Sequence, residues 1–463
     1  MSSRITRRSF LRNAAGAGAG LVILSNPASV WSFAANEAVA VAQVGVAGRG
    51  SWFVESILNR PSLRPVALCD VDTRRAAKAY EKYPHVPKFQ DFRKMLDQQK
   101  DIEGVIVATP EFSRATIMAA CIKAEKHVYG EKPLTRTPYE SRVMRELATK
   151  HKVATQQGNQ GSQDPRHRQA VALVQAGLLG EVREVHVWNS ATRPEGDAPP
   201  EGRGDARLPS GAQPVPEYLD WDLWLGPARW REFNQGWYGG WRGFRDFGTS
   251  GLGWWGPHCA NLPFRALKLV ELWDATDLTP QQRSIRVTPT VPGRFVNGFP
   301  TWEMVRYDVP ARGNLPPLTW TWHKGAMHFA EKALGQHPEW RDMERKPWWV
   351  HSGSVFIGSK GKLDATEYGA IWRVFPDELK SSPQIQGIRA MGHEEEWLAA
   401  CRGRVQCWSR FEQSAPLNEF LMLGNVATLV AEPFTYDPVV GKVLDNDAAQ
   451  AALHYEYREG WSL

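Results

Sequence analysis

No two of the five cysteines, Cys69, Cys121, Cys259, Cys401 and Cys407, are spaced as CxxC, and none has a His-rich partner segment, so the sequence offers no zinc site. Cys401 and Cys407 are near enough to pair in an oxidising compartment, but closeness in sequence says little about Cα geometry, and all five read as unpaired packing residues. No acidic residue precedes Glu37, and there is no internal repeat. The most apolar part of the N-terminus, Ala14 to Leu24, is too short and too rich in Gly and Ala for a good membrane span; an uncleaved anchor is the weaker reading. A strong charge excess is missing too. The formal net charge is +6, but Arg4, Arg7, Arg8 and Arg12 supply four units, and the remaining +2 gives no argument for nucleic acid or an anionic membrane surface.

What is present begins with an address. Thr6-Arg7-Arg8-Ser9-Phe10-Leu11-Arg12, the small-residue stretch after it and the small residues at Ala34 and Ala35 form a twin-arginine (Tat) export signal over residues 1–35, cleaved near Ala34/Ala35. This route carries folded proteins, so it implies a periplasmic or otherwise exported protein, Tat machinery as a partner, and a tightly held cofactor. With 463 residues the chain exceeds what one core usually supports, and two domains are expected. From Val39 to about Asn159, short continuous apolar runs (Val41 to Ala47, Pro65 to Cys69, Gly104 to Ala108, His127 to Tyr129, Val153 to Gln157) alternate with helical stretches. That pattern predicts an α/β fold with a doubly wound parallel (Rossmann) sheet over 37–160. Residues 161–463 predict a second α/β domain with a large, mostly antiparallel sheet, from strands such as Val182 to Trp188, Thr301 to Val309, Ser354 to Ile357 and Lys362 to Thr366, and helices over His393 to Cys401 and Leu417 to Val430. Between its strands lies a long Gly-, Pro- and Trp-rich stretch, Arg193 to Gly253, whose length suggests function and whose Trp content argues against disorder.

The chemistry-bearing residues sit at strand ends. Gly45-Val46-Ala47-Gly48-Arg49-Gly50 follows the first strand, where glycines let the backbone approach a pyrophosphate at a helix N-terminus, although the third fingerprint position is Phe53. Asp70, about 20 residues on, is placed to bind a ribose 2′-hydroxyl, favouring NAD. Nearby Arg49, Arg74 and Arg75 keep NADP open. The fourth strand ends in Thr109-Pro110 and the fifth in Glu131-Lys132-Pro133. A lysine at such a crevice reaches a bound substrate and can stabilise a developing alkoxide.

Taken together, the glycine loop, Cys69-Asp70-Val71-Asp72, Val107-Ala108-Thr109-Pro110 and above all His127-Val128-Tyr129-Gly130-Glu131-Lys132-Pro133-Leu134 resemble the Gfo/Idh/MocA oxidoreductase family. The resemblance continues through Gly158-Asn159-Gln160-Gly161, Ala176 to Val182, Asp246-Phe247-Gly248, Gly358-Ser359-Lys360-Gly361 and Tyr457 to Trp461. It implies NAD(P)-linked hydride transfer on sugars or polyols without a metal, homo-oligomer contacts through an open sheet face, and a cofactor site of Gly48, Arg49, Gly50, Asp70, Thr109, Pro110, Glu131, Lys132 and Asn159.

Two departures stand out. Where many relatives carry an Asp, a His and a further Asp, this chain has Trp254, His258 and Asn261, which makes Lys132 and His258 the expected catalytic pair. After Thr109-Pro110, Glu111-Phe112-Ser113-Arg114 replaces a histidine-bearing segment, and Arg114 reads as an anion holder or, more simply, as the partner of a surface acid. Arg166, Trp254, His258 and Asn261 are the expected substrate residues, and of the 21 Trp only Trp254 or Trp255 is expected to line the pocket. Three functions stay open: a sugar oxidoreductase, a glycoside-cleaving enzyme using transient sugar oxidation, or a nucleotide- or sugar-binding protein without turnover.

Overall fold

Val39–Val44 (β1) is buried at all six positions, as a strand covered on both faces must be. In the computed structural model, which describes residues 38–189, 208–325, 352–381, 388 and 390–463, it is the centre of a parallel sheet. Leu63–Cys69 (β2), Lys88–Phe89 (β3), Gly104–Val107 (β4), His127–Glu131 (β5) and Thr155–Gly158 (β6) complete that sheet in the order β3-β2-β1-β4-β5-β6. Arg49–Ser56 (α1), Thr73–Lys82 (α2), Phe92–Gln98 (α3), Glu111–Lys123 (α4) and Pro138–His151 (α5) make the crossovers. Strand order reverses between β1 and β4, which opens a crevice beyond their carboxyl ends. The twin-arginine segment, with Ala34 and Ala35, lies outside the described residues, as does the start of the Trp-rich stretch.

After Pro165–Gln175 (α6) the chain enters a nine-stranded sheet. Its strands are Val182–Asn189 (β7), Ile285–Thr290 (β8), Glu303–Val309 (β9), Leu318–Lys324 (β10), Ser352–Gly358 (β11), Lys362–Thr366 (β12), Trp372–Phe375 (β13), Phe434–Asp437 (β14) and Lys442–Val443 (β15). The order is β13-β12-β11-β7-β10-β9-β8-β14-β15. Every pairing is antiparallel except β7 with β10, which run parallel where two antiparallel meanders meet on either side of β7. One face carries a core of Val185, Val187, Tyr307, Trp320 and Phe356. The opposite face is not uniformly open, because His186, Thr321, His323, Val355 and Asp364 on it are also buried.

The two sheets are not joined only at residue 160. His393–Cys401 (α7) buries Trp397 and Leu398 in the first domain's core. Phe411–Val430 (α8) divides itself, Phe411 and Ala415 packing with the parallel sheet and Phe420, Leu421 and Leu423 with the second. Within α8, Asn418 accepts the Leu134 amide at 3.0 Å and donates to the Thr135 carbonyl at 3.1 Å, so a helix far along the chain buttresses the turn after Lys132. All five cysteines are free thiols.

Candidate active site at the domain junction

The loop after β1 is shaped by three glycines. Gly45 has φ +81, and a Cβ on it would stand 2.9 Å from the Ala108 carbonyl carbon; a Cβ on Gly50 would meet the Gly45 oxygen at 2.0 Å. Gly48 caps α1 at φ 58, ψ −120, backbone that other residues avoid. Buried Gln43, unremarked in the sequence, ties the loop by donating to the carbonyls of Gly45 (3.0 Å) and Gly50 (2.8 Å). Asp70 accepts the amides of Val46 (2.9 Å) and Asp72 (3.1 Å), while burial raises its carboxyl above the ordinary range.

Gly45, Gly48, Asp70 and Asp72 line a cavity of about 330 Å³, with Ala108, Thr109, Pro110, Glu131 and Lys132 along it, whereas Gly50 packs under the loop, off the wall. It fits a dinucleotide on three counts: a glycine loop whose tight turn against Ala108 no Cβ at Gly45 or Gly50 would allow, the N-terminus of α1 facing it, and a buried Thr109 hydroxyl with no protein partner. Arg49 also lies on the wall, but its Nε is 2.9 Å from Glu131 Oε1. Glu131 thus joins the glycine loop to the lysine turn, and its Oε1 also receives Gln160 Nε2 at 3.2 Å. Of the other arginines considered for NADP, Arg75 lines the cavity, whereas Arg74 stacks on Tyr218 with 3.9 Å from guanidinium to ring centre.

The Trp-rich stretch covers the far end of this cavity. Leu219 bridges to Asp72, the Thr73 amide bonds to the Tyr218 carbonyl at 2.9 Å, and the Tyr238 hydroxyl donates to Asp72 Oδ2 at 2.5 Å. Trp221 stacks on Trp224 at 4.7 Å, and Phe112, Phe233, Trp237 and Phe247 close the cluster behind them. Trp254, of the expected pair, lines this cavity and the one adjoining it; Trp224 and Trp241 of this excursion, with Trp461, line the first cavity alone.

Lys132 donates its Nζ to the Trp254 carbonyl at 2.8 Å and stands 5.8 Å from the Trp255 ring centre. Burial is the main cause pushing its pKa down to about 8, opposed by the negative charges of Glu131 and Glu111. A second cavity, about 470 Å³, adjoins the first and shares Glu111, Arg242 and Trp254 with it; Thr249, Ser250, Phe299 and Lys324 complete its walls. Among the described residues no group of three His, Cys, Asp or Glu converges as a metal site.

The other expected site residues lie elsewhere. His258, 3% exposed, starts Gly256–Ala266 and lines neither cavity. Its Nδ1 is 3.3 Å from Asn159 Oδ1, and Asn159 Nδ2 donates to the Pro257 carbonyl at 2.6 Å, which orients the amide so that Nδ1 of His258 is the donor. Burial, and then the charges of Lys132 and Arg49, hold the imidazole neutral, well below its usual pKa. Asn159 itself is buried at that joint, off the cofactor wall. Asn261 donates to Ser162 Oγ at 2.9 Å, fastening its helix to the turn that follows β6, and Arg166 is exposed beside Trp372, 5.5 Å from the ring centre.

Arg114 fits neither of its expected roles. It is buried and donates to the carbonyls of Thr109, Glu131 and Pro133, strapping the fourth and fifth strand ends together. Glu111, Arg242 and Lys324 were not singled out by sequence. A Glu at the first position of a helix reads as an ordinary favourable dipole partner, and nothing local places Arg242 or Lys324 near the crevice.

Residues 39–159 match the family model described as "Oxidoreductase family, NAD-binding Rossmann fold", and residues 168–265 match "Oxidoreductase family, C-terminal alpha/beta domain", both of the Gfo/Idh/MocA group. An inositol 2-dehydrogenase of Rubrobacter xylanophilus is 31% identical over 156 residues, 33% of this chain and 44% of the relative. A glycosyl hydrolase family 109 protein of Saccharopolyspora erythraea is 28% identical over 206 residues, 39% of this chain and 45% of the relative. The chain thus spans about half the length of the curated relatives it matches. Among solved structures, GenD2 from gentamicin A biosynthesis, in complex with NAD, superposes with a TM-score of 0.54 at 15% identity over 89% of this chain and 98% of its own. A levoglucosan dehydrogenase complex with NADH and L-sorbose gives 0.52 at 14% identity over 86% and 98%. At such identities these structures speak for the fold. Matched in order by two models of one family, on a Rossmann sheet followed by a large mixed sheet, residues 39–159 and 168–265 belong to the Gfo/Idh/MocA oxidoreductase family.

Proposed function

We propose that the protein is an NAD-dependent oxidoreductase of a sugar or sugar derivative. One observation carries this reading: the glycine-loop cavity and the second cavity share a wall, and Lys132 stands on the first close to that wall. When bound, a nicotinamide dinucleotide supplies a two-electron hydride acceptor. The chain's own residues bind and orient. Gly45 and Gly48 on the wall let the loop backbone approach a pyrophosphate, Gly50 lets that loop close on itself, and Asp70 presents its carboxylate to the ribose and disfavours a 2′-phosphate, with Arg75 as the opposing cation on that wall. Lys132 polarises the substrate oxygen through its ammonium. The exposed face of Trp254 suits the C–H face of a sugar ring, in keeping with relatives named for inositol.

The test is turnover of a sugar and polyol panel with added NAD, comparing wild type with Lys132→Met. Equal activity in both removes this role for the lysine, and nucleotide binding without turnover in either favours a binding protein. A second reading is supported by the family 109 relative and by the aromatic cover over the nucleotide end: a retained cofactor that oxidises a sugar transiently while a glycosidic bond is cleaved. Product analysis separates the two, since only the first changes the sugar's net oxidation state.

Export belongs to the same proposal. The twin-arginine sequence supports transport of a folded, cofactor-loaded protein to the periplasm, and Arg7→Lys with Arg8→Lys is expected to hold it in the cytoplasmic fraction. Assembly into a homo-oligomer through the large sheet is also proposed, and light scattering of the purified protein checks it.

A further inference from the structure

Glu111 is the buried carboxylate of this site without a complete set of partners. It opens α4, is 4% exposed, and lines both cavities. Oε1 receives the Thr249 hydroxyl over a long 3.4 Å, and Oε2 has no hydrogen-bond partner. A buried carboxylate with an unmatched oxygen is costly unless a ligand completes it. The groups facing it are Arg114 on its own helix, Arg242 from the turn after Gln235–Gly240, and Lys132 from the end of β5, with Lys324 of β10 across the second cavity. Burial raises its pKa despite these cations.

We propose that Glu111 is the proton-transfer residue of the substrate site, acting beside Lys132 where relatives place an acid at the position of Trp254. This rests on the oxidoreductase reading above. In oxidation, hydrogen and two electrons leave the substrate carbon as hydride, taken up by the nicotinamide dinucleotide. The hydroxyl O–H bond breaks as the C=O bond forms, and its proton passes to Oε2 of Glu111, leaving a neutral carboxylic acid that releases it through the open second cavity. Lys132 keeps its ammonium and holds the substrate oxygen throughout. His258, off both walls and bonded to Asn159, positions the helix at the junction and does not exchange the proton.

Two measurements test this with Glu111→Gln, and with Glu111→Ala, which also lacks the charge, should the amide fail to fold. The first needs no substrate. In holoprotein with ¹³C-methylated lysines, removing the carboxylate's charge is expected to move the Lys132 titration to lower pH by NMR, and an unmoved titration overturns the pairing. The second uses whichever panel sugar wild type turns over. Glu111→Gln is expected to lower kcat by about 10²-fold and erase the acid limb of the pH profile, with NAD affinity unchanged. A retained acid limb overturns the role of Glu111 while leaving the oxidoreductase reading intact. Failure of wild type to bind any dinucleotide strikes that reading instead and takes this role with it.

Discussion

The two ends of the cleft are built from different material. The nucleotide end is mostly backbone and strand termini: a glycine loop, the amides around Asp70, and the turns after β4 and β5, pinned by Gln43 and Arg114. The substrate end is mostly side chains from distant segments: Glu111 from α4, Arg242 and Trp254 from the Trp-rich excursion, Lys324 from β10. Backbone cradles suit a ligand whose shape never varies, whereas side-chain walls can be exchanged without disturbing the sheet. That division accounts for a chain that keeps its family's cofactor loop while its substrate residues depart from the pattern.

The sharpest way to break the comparison is Lys132→Met, at the seam. Loss of turnover of about 10²- to 10³-fold is expected, with dinucleotide affinity changed only a few fold; affinity falling as steeply as rate shows the seam to belong to the nucleotide end. Next comes Gly45→Ala, where φ is +81 and the new Cβ meets the Ala108 carbonyl. We expect a stability loss of about 1–2 kcal/mol in denaturant melts and a clear drop in NAD affinity by calorimetry. The pH profile sharpens the contrast further. Lys132, at about 8, is cationic below that pH and neutral above it, so an oxidation that uses the ammonium falls as pH rises through about 8. The smallest effect is expected from Tyr238→Phe, which removes the hydroxyl bond to Asp72 and loosens the aromatic cover. It should cost about 0.5–1.5 kcal/mol of stability, with a severalfold faster NAD release in stopped flow and turnover per bound nucleotide unaltered.

The same division decides how much could be read in advance. Five of the six parallel strands are legible because burial on both faces forces apolar runs, and the glycine loop, Asp70 and Lys132 because each sits within a few residues of such a run; the two-residue, half-buried edge strand β3 carries no such signal. Strand β10 is not legible either, since Trp320 and Trp322 sit in a segment following a proline-rich turn, and its parallel pairing with β7 has no local signal. The sequence starts helix α8 at Leu417, because Pro416 reads as a start signal, yet the packing of Phe411 and Ala415 on the first core carries the helix six residues further back, to Phe411, with Pro416 inside it. His258 was expected at the reacting centre from its place in the motif. Its side chain is instead taken by the Asn159 joint, a long-range contact no spacing reveals. Glu111 was visible in the sequence, but its burial and unmatched oxygen follow only from the fold.

The proposed chemistry requires a dinucleotide in the glycine-loop cavity. Mass spectrometry of the denatured protein, before and after incubation of the native protein with NAD and NADP, tests this most directly. Stoichiometric NAD, retained through desalting and preferred over NADP, is the predicted result. A protein that carries no nucleotide and takes up neither would contradict it.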